Sequence, residues 1–549
     1  MVKLSTNLWF CLTLVSYIKY ISIAASTAIY KDVDNEDEEG PIVQTEYGQV
    51  RGLYLKKGLE ARGFLGIPYA APPIGELRWK PPQVQKAWNG VYLATEQPVG
   101  CPQICGVLEP ESSCPPGTSE SCLYLNIYTP RNANSKSNLP VMVWLHGGNF
   151  QTGGAGGILY DGRYIANMSQ VVLVTVNYRL GALGFMVTSG GDNSLTGNYG
   201  FLDQRAAFRF VTLFGQSAGA QSIAVHLLVE ESSSLFHQAI LVSDPFTIPY
   251  QTPARAAELG DLTAEYLGCD PDDLKCLRSK SADDILTESQ KAAGRTIDPD
   301  VLLQLFEPWM PTIDNVTVPA DALPALQAGN FYRKPMIIGT TSEEGVLYIY
   351  EVWKEPPGFA EVYAFLYLIL KDRDSARRVI ESYDIEFKTD LRDSVSAGCT
   401  DYIFGCCSRN ASRVIHYAGA PVYHYIFNHA FSYEDGWGEG PIPCKGRVCH
   451  GGDLPFLFHT AFFGGYRQTP AESRLTRSIV SYYGNFAHTG DPNNNMWSDE
   501  PRQIYEHWPE YTPANNWPSM VLQTPTNKVQ LEYLEELCDM WDEIGYEEN

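Results

Sequence analysis

The segment Gly215-Gln216-Ser217-Ala218-Gly219 directly follows the apolar run Val211-Thr212-Leu213-Phe214. A strand that ends in Gly-x-Ser-x-Gly and continues into a helix can form a sharp turn. That turn lifts the serine hydroxyl above a sheet, and the glycines let neighbouring backbone come close. Gln221 to Val229 supply the helix, with Ile223, Ala224, Leu227 and Leu228 along one side. The chemistry implied is attack of Ser217 Oγ on an acyl carbon, which also requires oxyanion donors, a base and an orienting acid. Upstream, the apolar run Val141 to Leu145 enters His146-Gly147-Gly148-Asn149-Phe150. The N–H groups of Gly147 and Gly148 can turn toward a developing oxyanion. Ala218 offers a third at the start of the elbow helix, where the dipole also favours negative charge.

The acid and base are expected in the chain order serine, acid, histidine. The strand-like Met336-Ile337-Ile338-Gly339 leads to Glu343-Glu344-Gly345, where one carboxylate is expected to be the acid and the other a solvated surface group. Seven histidines follow Glu344. His450 stands out, because Cys449-His450-Gly451-Gly452-Asp453 is a glycine-rich loop entering an apolar segment. His488, before Thr489-Gly490, reads as a helix-end residue, where a cation is favoured.

Other segments complete a pattern. They are Gly66-Ile67-Pro68-Tyr69-Ala70, Leu77 to Pro82, Ser119 to Ile127, Val176-Asn177-Tyr178-Arg179-Leu180-Gly181 and Asn198 to Arg205. In this order, with the elbow and the Glu and His segments, the chain resembles the type-B carboxylesterase/lipase family. That family includes the cholinesterases and the non-catalytic neuroligin-type adhesion proteins. The resemblance implies Ser217 as nucleophile, Glu344 as acid, His450 as base, and Gly147, Gly148 and Ala218 as the oxyanion hole. It further implies a Glu120–Arg179 ion pair, Ser243 beside the acid, and disulfides Cys101–Cys122 and Cys269–Cys276. A small-molecule carboxylic ester would be the substrate, with no cofactor and no metal.

Two departures bear on activity. Cholinesterases hold the quaternary ammonium over a tryptophan inside the first disulfide loop, a cation–π contact. Here residues 101 to 122 contain no aromatic ring, and Gln216 replaces the glutamate found before the serine in cholinesterases. A general carboxylic ester fits better than a choline ester. The second departure is the passage from Leu202-Asp203-Gln204-Arg205 through Phe208-Arg209-Phe210 straight into Val211. Relatives carry a further helix half and loop there, so either residues are missing from this sequence or the crossover is short. A helix abutting its strand is hard to close, because a parallel crossover needs a return along the sheet. The alternative to an active esterase is therefore a catalytically impaired binding, storage or adhesion-type protein on the same fold.

The elements that would position these residues form an α/β-hydrolase fold: a mostly parallel twisted sheet with helices on both faces and the site at the strands' carboxyl ends. Residues 41–130 would supply N-terminal strands, and 246–330 and 353–420 helical insertions capping the site. Ala471 to His488 reads as a late surface helix and Gln530 to Ile544 as a terminal amphipathic one. Residues 1–26, with Lys3, an apolar stretch and Ala24-Ala25-Ser26, read as a signal peptide, leaving 27–549 as one domain, secreted or in a secretory-pathway lumen. Of 13 cysteines, 12 lie beyond that segment, an even number suited to an oxidising compartment. Spacing suggests Cys444–Cys449, pinning the His450 loop, and allows Cys105–Cys114, whereas Cys399, Cys406, Cys407 and Cys538 cannot be paired by sequence. Asn167, Asn315 and Asn410 head glycosylation sequons. The net charge of −24 argues against nucleic acid and anionic membranes. Its acidic ends, Asp32 to Glu39 and Glu532 to Glu548, are expected to be solvated tails. No other segment is apolar enough to anchor the chain in a membrane.

Overall fold

The computed structural model describes residues 39–546, apart from 56–59, 106–110, 192–193, 210, 297–301, 386–387, 434–435, 438–441 and 496–504. The expected signal peptide at 1–26, most of the acidic run from Asp32, and Phe210 of the crossover lie outside the described residues.

Eleven strands build the main sheet. They are β1 (Leu53–Leu55), β2 (Ala61–Pro68), β3 (Tyr124–Pro130), β4 (Val141–Leu145), β5 (Val172–Val176), β6 (Val211–Gln216), β7 (Phe236–Val242), β8 (Met336–Thr341), β9 (Val422–Phe427), β10 (Pro518–Leu522) and β11 (Lys528–Leu531). Their spatial order is β11-β10-β9-β8-β7-β6-β4-β5-β3-β2-β1. All contacts from β10 across to β5 are parallel, and both margins are antiparallel. A separate three-stranded sheet joins Ile42–Thr45, Gly48–Arg51 and Val91–Leu93.

The central strands are apolar throughout because both faces are covered. Every residue of β6, β8 and β9 is buried. Strand alternation then sorts them into two cores. Val143, Leu145, Leu213, Leu241 and Ile338 face the helix Ala218–His226 through Ile223. Trp144, Phe214, Ile240 and Ile337 face the helix Pro470–Thr489 through Ile479 and Phe486. That second helix opens with a capping box between Thr469 and Glu472 and ends at Gly490 in a left-handed conformation. Its residues from Leu475 to Ala487 are mostly buried, so it is a core helix and not the surface one expected.

The insertions are helical. Pro253–Tyr266, Ala282–Ala293 and Ala322–Gln327 lie in the first, and Phe359–Leu370, Arg373–Ser382, Arg392–Thr400 and Cys406–Tyr417 in the second. The acidic C-terminal segment holds a further helix. Glu535–Ile544 buries Cys538, Met540 and Trp541, while its acids meet arginines of other helices. Arg409 bridges Asp539 and Asp542, each at 2.6 Å, and Arg378 meets Glu543 at 2.7 Å. These acids are ion-paired, which corrects the reading of a solvated tail over the described residues.

The crossover into β6 closes differently from the abutment feared. Its helix is only Tyr199–Ala206, and Ala207 to Arg209 lead away from it. The short helix is clipped to the helix Ala218–His226. Gln204 Nε2 donates to Ser222 Oγ at 3.0 Å, and Gln204 Oε1 lies 3.2 Å from His226 Nε2. The His226 ring stacks on Phe201 and meets the edge of buried Phe208. A polar and aromatic contact thus does locally what a longer helix would do by area.

Five disulfides join Cys101–Cys122, Cys105–Cys114, Cys269–Cys276, Cys406–Cys538 and Cys444–Cys449. Cys399 and Cys407 remain thiols, so the even count does not mean complete pairing. Burial pushes the Cys399 thiol up to about 12 and that of Cys407 well above its usual range, which keeps both unreactive.

Candidate active site

Ser217 sits between the last residue of β6 and the helix Ala218–His226, with φ 56° and ψ −126°. A non-glycine residue rarely adopts that conformation, and holding it costs about 1–3 kcal/mol. The surroundings enforce it. A Cβ on Gly219 would lie 2.0 Å from the Leu145 carbonyl oxygen, and one on Gly215 would lie 2.8 Å from Gly219 backbone. Only glycine lets the helix start, β4 and β6 approach this closely.

The other expected residues arrive at the same edge of the sheet. Glu344 follows β8 and is fully buried. Its Oε2 is 2.5 Å from His450 Nδ1, and its Oε1 accepts the Thr341 N–H at 2.6 Å. A carboxylate there can accept only from an N–H, so the imidazole carries a proton on Nδ1, and its neutral form has the lone pair on Nε2. Ser217, His450, Gly148, Gln216, Tyr160, Tyr348 and Trp437 line one cavity. Gly147 packs against Ser217, since a Cβ there would lie 3.1 Å from Ser217 Cβ. Ala218 begins the elbow helix. The aromatic lining therefore comes from Tyr160, Tyr348 and Trp437 and not from the first disulfide loop.

Several expectations are corrected. The Glu120–Arg179 pair does not form. Arg179 binds Asp203 in a buried fork at 2.7 and 2.8 Å, and Glu120 receives Arg78 Nε at 2.7 Å. Each arginine simply meets a nearer carboxylate from another turn of chain. Ser243 Oγ is buried with no hydrogen-bond partner among the described residues, so Glu344 is steadied by the Thr341 N–H instead. Glu343 is not a free surface carboxylate. It accepts the Val448 N–H at 2.7 Å and lies 3.7 Å from Arg447, holding the loop that carries His450. That loop is closed at its base by Cys444–Cys449. His488 stays away from the cavity, with Nε2 donating to the Ser169 carbonyl at 3.0 Å. It is the helix-end residue expected, in the last turn of Pro470–Thr489, and burial lowers its proton affinity.

Sequence reasoning missed two features. Gln216 Nε2 lies 2.8 Å from His450 Nε2, whereas Ser217 makes no hydrogen bond to that nitrogen among the described residues. Deeper in, Asp244 and Glu307 are both buried, and neither forms an ion pair with Lys or Arg among the described residues. Gln221 Nε2 donates to Glu307 at 3.0 Å, but neither oxygen of Asp244 has a partner. Burial lifts Glu307 to about 7, and burial with the Glu307 charge lifts Asp244 well above the carboxylate range. Acids set among aromatic and proline residues, in Ser243-Asp244-Pro245-Phe246 and Phe306-Glu307-Pro308-Trp309, were the available signal.

The family model described as the carboxylesterase family matches residues 39–541. The chain belongs to that family. Membership makes it a carboxylesterase-type hydrolase on the α/β-hydrolase fold. It is 34% identical over 511 residues to a Dictyostelium discoideum "Crystal protein", covering 88% of each chain. A "cAMP-regulated D2 protein" of the same organism is 34% identical over 524 residues, or 92% of each. The human "Cocaine esterase" is 33% identical over 530 residues, or 89% of each.

Proposed function

We propose that this carboxylesterase-family chain is a secreted serine esterase working through an acyl-enzyme on Ser217, with His450 as general base and Glu344 as orienting acid. The observation that carries the reading is the Glu344–His450 contact of 2.5 Å opening onto the cavity that holds Ser217. His450 Nε2 takes the Ser217 proton as Oγ bonds to the ester carbonyl carbon, and the carbonyl oxygen becomes an oxyanion. The N–H groups of Gly147, Gly148 and Ala218 face that charge. The oxyanion collapses, the alcohol leaves with the proton from His450, and water then repeats the cycle to release the carboxylic acid. Glu344 holds the tautomer and stabilises the imidazolium throughout. Secretion is supported by the leader-like residues 1–26 and by five disulfides. Among the sequons, Asn315 lies on an exposed loop, whereas Asn167 and Asn410 direct Nδ2 into protein hydrogen bonds.

A second reading, a binding protein on this scaffold, is favoured by the absent Ser217–His450 hydrogen bond. Mass spectrometry after exposure to a fluorophosphonate separates the two. Modification of Ser217 in the wild-type chain and none in S217A is the expected result. An unmodified, folded wild-type protein would leave only the binding reading.

A further inference from the structure

Gln216 occupies the nitrogen that the nucleophile needs. Its side chain lies between the two glycine loops of the site. A Cβ on Gly147 would come within 2.5 Å of Gln216 Oε1, and one on Gly451 within 3.9 Å of Gln216 Nε2. The amide nitrogen reaches His450 Nε2 at 2.8 Å. Because Glu344 fixes the Nδ1–H tautomer, Nε2 is an acceptor and the Gln216 amide is its donor. Gln216 is 5% exposed and Ser217 2%, so this contact is made out of bulk water. The base is therefore correctly oriented by its acid and at the same time capped on its working face. Tyr348 and Phe404 flank the imidazole with centroids at 5.5 and 5.1 Å, which limits escape by ring rotation.

We propose that Gln216 is a positioning residue that competes with Ser217 for the lone pair of His450, so that acylation requires its amide to withdraw. The proposal rests on the esterase reading of Ser217 and His450. A neutral amide is suited to this role. It can hold the unprotonated base and let go for the cost of one net hydrogen bond. A carboxylate at the same position would instead favour the imidazolium and raise the pH at which the base becomes free. The other ionisable groups facing His450 are Glu344 in contact, with Glu307 and Asp453 farther off. None of them touches Nε2.

The test uses the full secreted chain and its variants Q216M and Q216E. Methionine keeps the length and bulk of glutamine without the donor. The readouts are the rate of fluorophosphonate labelling of Ser217 across pH and the 15N resonance of His450 Nε2 in histidine-labelled protein. Q216M is expected to label roughly three- to tenfold faster near neutral pH, the factor corresponding to one net hydrogen bond. Its Nε2 resonance should move toward that of an imidazole nitrogen free of a donor. In Q216E the acid limb of the labelling profile should move up by about one pH unit or more, because the added carboxylate favours the imidazolium. A labelled wild type with no gain in Q216M, or a Q216E profile superimposable on wild type, overturns the role of Gln216 alone. No labelling of the wild type or of Q216M removes the esterase reading itself.

Discussion

Glu307→Gln is expected to stabilise the protein at alkaline pH while changing little near pH 5. Glu307 is 1% exposed and lies near Asp244, also 1% exposed, and neither pairs with Lys or Arg among the described residues. Burial carries its carboxyl from the ordinary 4.5 to about 7. Between those values the folded protein holds a proton that the unfolded chain has released, so stability falls as pH rises. The contribution is complete below the unfolded value and is lost as pH approaches the folded one. A shift of this size corresponds to roughly 3 kcal/mol in all, most of which is lost between pH 5 and pH 8. That is a large share of a typical total stability of about 5–15 kcal/mol. The substituted amide carries no charge to bury, and Gln221 Oε1, buried without a partner, is available to accept from it. Urea unfolding of wild type and E307Q at both pH values, with equal m-values, reads the loss of the Glu307 charge together with the relief of Asp244, whose proton affinity that charge raises. The stability gap should open in favour of E307Q by about 2 kcal/mol from pH 5 to pH 8. A gap that is the same at both pH values, or a less stable E307Q at pH 8, would refute the reasoning.

Glu344→Gln should lower kcat by about a hundredfold to ten-thousandfold with the fold intact, since the amide no longer dictates the Nδ1–H tautomer. Steady-state kinetics beside a thermal melt checks this, and a loss under tenfold would remove Glu344 from its assigned role. The two C-terminal disulfides should separate stability from activity. Cys406–Cys538 spans 132 residues and Cys444–Cys449 spans 5. Chain entropy assigns them roughly 5 and roughly 2 kcal/mol respectively. C406S/C538S should therefore unfold more easily yet turn over esters normally at 25 °C, while C444S/C449S should lose kcat through the freed His450 loop. Equal effects of the two double variants on kcat would contradict the positional role of the small loop.

Much of the site was legible because its signals are local. The elbow is a run of five residues, its glycines are demanded by backbone approach, and the central strands are continuous apolar segments that can only sit inside a covered sheet. What escaped detection depends on distant partners. Arg179 could have met Glu120 or Asp203, and nothing in the chain near it says that Asp203 is closer. Cys406 and Cys538 are 132 residues apart, and the acids of Glu535–Ile544 look unpaired until Arg409 and Arg378 are folded beside them. The crossover was read by length alone, whereas the helix was already closed by Gln204 and His226, two side chains whose meeting no spacing encodes. Gln216 was visible as a missing charge, but its contact with His450 is a property of three loops brought together.

The left-handed backbone at Ser217 also sets the direction in which this protein can drift. Glycine occupies φ near +56° without the penalty that serine bears, so Ser217 stands at a position where loss of its side chain would relax the fold. A lineage no longer selected for ester cleavage would gain robustness by giving up the hydroxyl, leaving the sheet and disulfides unchanged. A serine at such a place costs stability that a glycine would not, and selection for chemistry is a force able to offset that cost.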